Sequence, residues 1–216
     1  IFSPGRNWEQ IRTTICYNNQ PVKIIGSHAG LSASADGGSH QMLEDIALTR
    51  VVPNMIVLSP CDAIEAKKAT TAAAKIKGPI YLRFTREKTP VITTEATPYT
   101  PGKAIIFWES KKPQVAIIAC GPILHNALVA AKELEKEKIG TIVLNNHTIK
   151  PMDAMAVLEV ARSAGRIVTV EEHQAMGGMG SAVAELLSQQ NPVPMEIMGV
   201  ADVFGQSGTQ AELIEE

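Results

Sequence analysis

A chain of 216 residues with 45% apolar side chains, 19% charged ones and a net charge of −2 holds enough core for one large globular domain or two ordinary ones, which excludes a disordered segment. With no cluster of lysines and arginines, it carries no nucleic-acid stripe. No apolar run approaches the roughly 18 residues that span a bilayer, and nothing in the sequence reads as a signal peptide.

Ile1 and Phe2 open the chain without a methionine. They read as the end of an apolar strand whose beginning lies upstream, so the chain reads as a fragment or a processed product. NWEQIRTTICYNN, 7–19, places apolar side chains at helical spacing, and VKIIGS, 22–27, is a short strand. The loop HAGLSASADGGSHQ, 28–41, follows, with four glycines and four serines in or beside it. QMLEDIALTRVV, 41–52, has a helical period and ends at Pro53. MIVLSP, 55–60, is a buried strand. Asp62 is placed to cap the helix AIEAKKATTAAAKI, with Glu65 completing a capping-box spacing, and Gly78-Pro79 stops it. IYLRFT, 80–85, alternates like a strand. Residues 87–113 hold Pro90, Pro98, Pro101 and Pro113 and little periodicity beyond GKAIIFWE, so they read as a linker containing one edge strand.

The second half keeps a strand–helix rhythm. Strands are expected at 115–120, 140–146, 166–172 and 195–201, and helices at 123–137, after Pro151, and at 180–190. Apolar strands alternating with helices argue for parallel sheets covered on both faces, in two α/β domains joined by the linker. A first domain that starts part-way through exposes apolar surface near residues 1–20 unless a neighbour covers it.

Three cysteines, Cys16, Cys61 and Cys120, form no CxxC pair and no zinc spacing. Cys16 and Cys120 sit in apolar runs and read as buried free thiols of a reducing compartment, so the expected compartment is the cytoplasm. ELEKEK, 133–138, is a solvated helix face. VEEHQAMGGMGSAVAELL, 170–187, is a strand, a Gly-rich turn and a helix, but Val183 stands where a dinucleotide fingerprint needs its third glycine. Glu171, Glu172 and His173 could form a metal cluster, although close packing around a satisfied histidine fits them better. His125 and His147 are solitary and read as surface or helix-start residues. Trp8 and Trp108 read as core or interface.

The 28–41 loop is different. His28 lies at the carboxyl end of an apolar strand, where open α/β sheets bind ligands, and Asp36 and His40 follow 8 and 12 residues later. Glycines allow close backbone approach, histidine can donate to phosphate or sugar oxygens or move a proton, and aspartate accepts from hydroxyls. The set suits a polyhydroxylated, phosphorylated small molecule. Composition alone equally allows a turn-rich surface loop with Asp36-Gly37 as its turn. Arg86 follows another strand's carboxyl end and can hold a phosphate bidentately or form a surface salt bridge. Alternation sends it and Arg83 into different environments.

PNMIVLSPCDAIEAKKA, DGGSHQ and VEEHQAMGGMGSAVAE together resemble the transketolases, most closely the C-terminal subunit of a split, two-chain transketolase, along essentially the whole chain. The resemblance implies two three-layer α/β/α domains: an incomplete pyrimidine-binding domain over 1–88, a linker with an edge strand over 89–113, and a C-terminal, mostly parallel-sheet domain over 114–216. It also implies transfer of a two-carbon ketol unit between sugar phosphates in the pentose phosphate pathway. Thiamine diphosphate is then shared with an N-terminal, diphosphate-binding subunit that holds Mg2+ or Ca2+, in a homodimer or heterotetramer. By the same resemblance His28 and Arg86 bind the sugar's phosphate and Asp36 takes the hydroxyl beside the reacting carbon. His40 contacts the transferred unit and assists proton movement, and Phe2 packs against the cofactor's aminopyrimidine ring. The family's ylid-forming glutamate falls upstream of residue 1, a tyrosine falls on Gly5, DGGSH replaces the commoner DGPTH, and the GDG metal motif does not occur. The remaining alternatives are a 1-deoxyxylulose-5-phosphate synthase-like subunit, the β subunit of a 2-oxo acid dehydrogenase, and a non-catalytic assembly module.

Overall fold

The computed structural model describes residues 1–215. Its strands are β1 (Lys23–Gly26), β2 (Ile56–Leu58), β3 (Ile80–Arg83), β4 (Ile105–Glu109), β5 (Val115–Ala119), β6 (Thr141–Asn145), β7 (Thr148–Lys150), β8 (Ile167–Gln174) and β9 (Met195–Val200). Its α-helices are α1 (Trp8–Gln10), α2 (Asp45–Arg50), α3 (Ala63–Lys75), α4 (Leu124–Lys136), α5 (Ala154–Ala164), α6 (Met179–Gln190) and α7 (Gln210–Glu215).

Two sheets result, with strand orders β1-β3-β2-β7 and β4-β6-β5-β8-β9. The strands expected from apolar runs pair in parallel, β1 with β3 and β3 with β2 in the first sheet, β6 with β5, β5 with β8 and β8 with β9 in the second. Both sheets therefore belong to α/β domains, as expected. β4, expected as an edge strand within the linker, is an antiparallel edge of the second sheet, paired with β6. One buried cluster reaches from Ile24, Val57 and Tyr81 in the first sheet to Ile118, Leu144 and Val157 in the second half.

Several local expectations change in the fold. Ile1-Phe2 is not a strand end: Gly5 N donates to Ile1 O at 3.1 Å and the chain turns into a helical stretch over Phe2–Arg6. The helix expected over 7–19 begins at α1 and continues over Ile11–Cys16 with wider winding, Tyr17 N reaching Arg12 O at 2.9 Å. The helix expected over 41–52 shrinks to α2, because Met42 O accepts from Gly30 N at 2.9 Å and closes the neck of the preceding loop. β3 does not alternate: all four residues are buried, as in a central strand covered on both faces. Phe2, Tyr17, Val22 and Ile25 are exposed, Ile25 on the outer strand β1 and Val22 directly before it.

β7 and α7 were not legible. β7 leaves the second domain and pairs antiparallel with β2 of the first. Its Lys150 ammonium donates to Arg50 O (2.9 Å) and Val52 O (2.7 Å), satisfying carbonyls at the end of α2.

Asp62 caps α3 as expected, its Oδ1 accepting from Glu65 N at 2.8 Å. The reciprocal half of the box is displaced by one residue: Glu65 Oε2 accepts from Cys61 N (2.7 Å) and Oε1 from Asn145 Nδ2 (2.8 Å), tying α3 to β6. The second Asp62 oxygen accepts from Ile92 N (2.8 Å) and Thr93 N (2.6 Å), so one carboxylate fixes both a helix start and the linker. Burial raises its pKa, but the donors from Glu65, Thr93 and Ile92 outweigh it and hold the carboxyl below its ordinary range. A lowered carboxyl pKa contributes stability above the unfolded-state value, and this is lost as pH falls through the folded value. Asp62→Ala is expected to lower stability by about 2 kcal/mol, read as an earlier urea midpoint at neutral pH, and by less at acid pH.

Candidate functional site

β1 delivers the first site residue. Past Gly26 the chain turns through His28 in a left-handed conformation, φ 61°, costly for a side chain this size. Ala29 N then donates to Phe84 O at 3.0 Å, which sets the loop beside the end of β3. A 3-10 turn over Leu31–Asp36 carries Asp36 forward, and Gly37, φ 72°, reverses the chain toward His40. His28, Asp36 and His40 come together around one hollow of about 350 Å3, with Ile1, Phe2, Ser3, Ile25, Ser27 and Ala33 completing its wall. His28, Asp36 and His40 are all exposed, so the loop lies at the surface as the alternative has it, but its polar side chains are gathered at one place.

Phe2 meets the His40 ring edge-on, centroids 5.6 Å apart, and the Arg6 guanidinium covers the Phe2 ring at 4.5 Å. Ser39 Oγ lies 2.9 Å from His40 Nδ1, so that nitrogen is occupied and Nε2 is left for other partners. Arg86 reaches in from the end of β3: its Nη1 is 3.1 Å from Asp36 Oδ2 and 3.4 Å from Ala33 O. Both partners of this ion pair are substantially exposed, 39% and 47%, so it is weak and an incoming anion or hydroxyl can displace it. The salt-bridge reading of Arg86 and its proximity to the loop thus hold together. A Cβ on Gly5 would meet only Ile1 and Met42 at 3.7 Å, so nothing blocks a side chain there.

A second polar constellation lies buried where the two domains meet. Arg83 Nε and Tyr81 Oη both donate to Asp45 Oδ2, at 2.8 and 2.7 Å, and Arg83 Nη2 donates to Glu172 O at 2.6 Å. Arg83 and Arg86, three residues apart, do occupy different environments. Burial opposes the Arg83 charge, and the Asp45 carboxylate more than offsets this.

Glu171, Glu172 and His173 do not converge on a metal. Glu171 turns to the start of α6, its oxygens accepting from Met179 N (2.7 Å) and Gly180 N (2.8 Å). His173 Nδ1 faces Gln174 O at 2.7 Å, and its Nε2 accepts from Ala47 N at 3.3 Å. That geometry is a neutral ring, and burial holds its pKa below the ordinary value. Burial pushes the Glu171 carboxyl up to about 7, against the pull of the two N–H donors and Arg83. Among the described residues no group of three or more His, Cys, Asp or Glu side chains is placed to hold a metal ion. The Gly-rich turn also finds its purpose here. A Cβ on Gly178 would overlap the Glu171 carboxylate, which already takes the helix N–H groups that a pyrophosphate would need.

His147 is neither a surface nor a helix-start residue. It is fully buried, stacked on Tyr99 with centroids 4.3 Å apart, and burial lowers its pKa to about 4. Trp8 is half-buried against the core, its Nε1 donating to Leu48 O at 2.6 Å. All three cysteines are free and buried.

With this geometry in hand, the comparisons with known proteins are specific. The family model for the transketolase pyrimidine binding domain matches residues 1–91, and that for the transketolase C-terminal domain matches residues 102–216. The chain is 37% identical over 219 residues to a putative transketolase C-terminal section of Methanocaldococcus jannaschii, covering 100% of this chain and 67% of that protein. It is 38% identical over 207 residues to the 6-deoxy-6-sulfo-D-fructose transketolase subunit SqwH of a Clostridium species, covering 96% and 64%. Against human transketolase the identity is 37% over 211 residues, 97% of this chain but 34% of the enzyme. Among solved structures, a split gene transketolase described as an inactive beta4 tetramer superimposes with a TM-score of 0.87 at 42% identity, covering 95% of this chain and 66% of that one. The Campylobacter jejuni transketolase shares the fold, with a TM-score of 0.74 at 22% identity over 89% of this chain and 29% of that one. The chain thus spans about two thirds of the length of its split relatives and one third of the undivided enzyme. On this evidence it belongs to the transketolase family, in the part that comprises the pyrimidine-binding and C-terminal domains.

Proposed function

We propose that this chain works as the C-terminal section of a transketolase and transfers a two-carbon ketol unit from a ketose phosphate to an aldose phosphate together with an N-terminal, diphosphate-binding chain. The observation that carries the reading is the meeting of His28, Asp36 and His40 at one hollow, with Arg86 ion-paired to Asp36. In this reading residues 1–88 form the pyrimidine-binding portion, 89–113 the linker and 114–216 the C-terminal domain. The assembly is a heterotetramer or a homodimer of paired chains, working in the cytoplasm within the pentose phosphate pathway.

The hollow also fits one end of thiamine diphosphate. The Phe2 ring is half exposed and forms an apolar wall with Ile1 and Ile25, suited to packing against an aminopyrimidine. The GDG metal motif of the resemblance does not occur in this sequence, so in this reading Mg2+ or Ca2+ and the diphosphate belong to the other chain. When bound, the cofactor supplies the electron sink for carbanion chemistry. This chain supplies position and protons. Arg86 offers a planar fork and His28 a ring N–H to the phosphate, exchanging the weak Asp36 pair for the substrate. Asp36 then accepts from the hydroxyl beside the reacting carbon. His40, its Nδ1 held by Ser39, exchanges a proton at Nε2 with the oxygens of the transferred unit.

The test is reconstitution. The chain alone is expected to be inert. Mixing it with the N-terminal chain, thiamine diphosphate and Mg2+ should give ketol transfer from xylulose 5-phosphate and no condensation from pyruvate. An inert mixture overturns the enzyme reading, and product from pyruvate reassigns the chain to the synthase class. In the active mixture His28→Ala and Arg86→Ala should each raise KM about tenfold for phosphorylated sugars and much less for unphosphorylated ones. Equal effects on both would contradict the phosphate role.

A further inference from the structure

The loop that carries Asp36 and His40 presents one side to the hollow, and its other side rests on the C-terminal domain. We infer that Gln41, hydrogen-bonded to Gln206 and packed against Gly205 of the C-terminal domain, is a positioning residue that fixes Asp36 and His40 for the sugar. This rests on the reading of the hollow as the sugar site. Gln41 directly follows His40 yet is only 2% exposed, and its Nε2 donates to Gln206 O at 3.0 Å. Its backbone N–H and that of His40 both donate to Gly37 O, at 3.1 and 3.0 Å, so the amide anchor and the tip of the loop move as one piece.

The crossing admits no side chain. A Cβ on Gly205 would overlap the Gln41 amide oxygen, and one on Gly38 would overlap the Gly205 carbonyl oxygen. A Cβ on Gly37 would lie 2.6 Å from Ser207 Oγ. Three glycines at one contact mean that two backbones lie against each other, and the contact sits between Asp36 and His40 in the chain. The crossing segment is itself anchored. Gln174 Nε2 donates to Val203 O (2.8 Å), Gln174 Oε1 accepts from Asp202 N (3.1 Å), and Gln174 N donates to Leu43 O (2.8 Å). One glutamine therefore grips both the supporting segment and the exit of the loop. By contrast, Asp36 and His40 are exposed, and the ion pair to Arg86 is too weak to place them. The position of the loop tip follows from the C-terminal domain.

Two variants test this in the reconstituted complex. Gln41→Met keeps the volume and removes the donor. Gly205→Ala wedges the crossing apart. Each should raise KM for the donor ketose phosphate about tenfold. The affinity for thiamine diphosphate, read by protein fluorescence, should stay within about twofold, because the amide acts on the sugar side of the hollow. Amide exchange over residues 36–41 should quicken about tenfold while residues 80–83 keep their protection. Gln41→Met decides the matter if Gly205→Ala does not fold. If both variants leave the donor KM and the exchange unchanged while His28→Ala still raises KM, the positioning role is wrong and the sugar site stands. If His28→Ala is also silent, the sugar site itself has failed, and the inference falls with it.

Discussion

Asp45→Ala is expected to destabilise the chain by about 3–5 kcal/mol, enough to unfold much of a marginally stable protein. The Asp45 and Arg83 side chains are 0% and 2% exposed, so the charge left behind has no access to water. The loss is larger than a single ion pair would suggest, since Tyr81 Oη loses its acceptor at the same time. Arg83 also donates to Glu172 O, and an unpaired guanidinium would pull on β8 and loosen the contact between the domains. Urea unfolding followed by far-UV circular dichroism measures the effect. Asp45→Leu combined with Arg83→Met removes both charges and should recover a large part of the loss, because two buried apolar side chains replace an expensive pair. A change below about 1 kcal/mol for Asp45→Ala would mean that water reaches the cluster, contrary to its burial.

The largest effect on activity is expected at His40. In the reconstituted enzyme His40→Ala should lower kcat/KM for a ketose phosphate by about 10²–10³-fold, the usual cost of losing a positioned proton carrier. Ser39→Ala removes only the group that holds Nδ1, 2.9 Å away, and should cost about tenfold or less. Circular dichroism should stay unchanged in both variants, since neither side chain supports the core. Steady-state rates with His40→Ala within about threefold of the parent would remove His40 from the chemistry, whatever its place in the hollow. Asp36→Ala adds a useful contrast. It removes one of the partners of Arg86 and keeps the guanidinium near Ala33 O and Glu87, so it should weaken recognition of the hydroxyl while leaving the phosphate grip in place.

Much of the architecture was readable because the signals are local. The apolar runs at 115–120, 140–146 and 166–172 each become a parallel strand of the second sheet, within a residue or two. Asp62 caps its helix because a side-chain oxygen three residues before a free N–H needs no distant partner. The 28–41 loop stood out because two histidines and an aspartate among glycines and serines have no packing purpose. What failed was non-local. Thr148–Lys150 is too short to show a period, and its partner β2 lies roughly 90 residues earlier. His147 is buried at the crossing from β6 to β7, stacked on Tyr99 and with its carbonyl taken by Ser59 N, none of which a lone histidine signals in sequence.

The sequence by itself determined the order of strands and helices, the helix start at Asp62 and the residue types gathered in the loop, since all of these depend on neighbours within a few positions. Only the tertiary structure decided that Asp45 would neutralise Arg83 across 38 positions, that β7 would cross to the first sheet, and that Gln206 would hold the residue after His40. The physical reason is that periodicity and capping act over one or two turns of chain, whereas charge pairing, strand exchange and backbone crossings depend on which surfaces the core brings together.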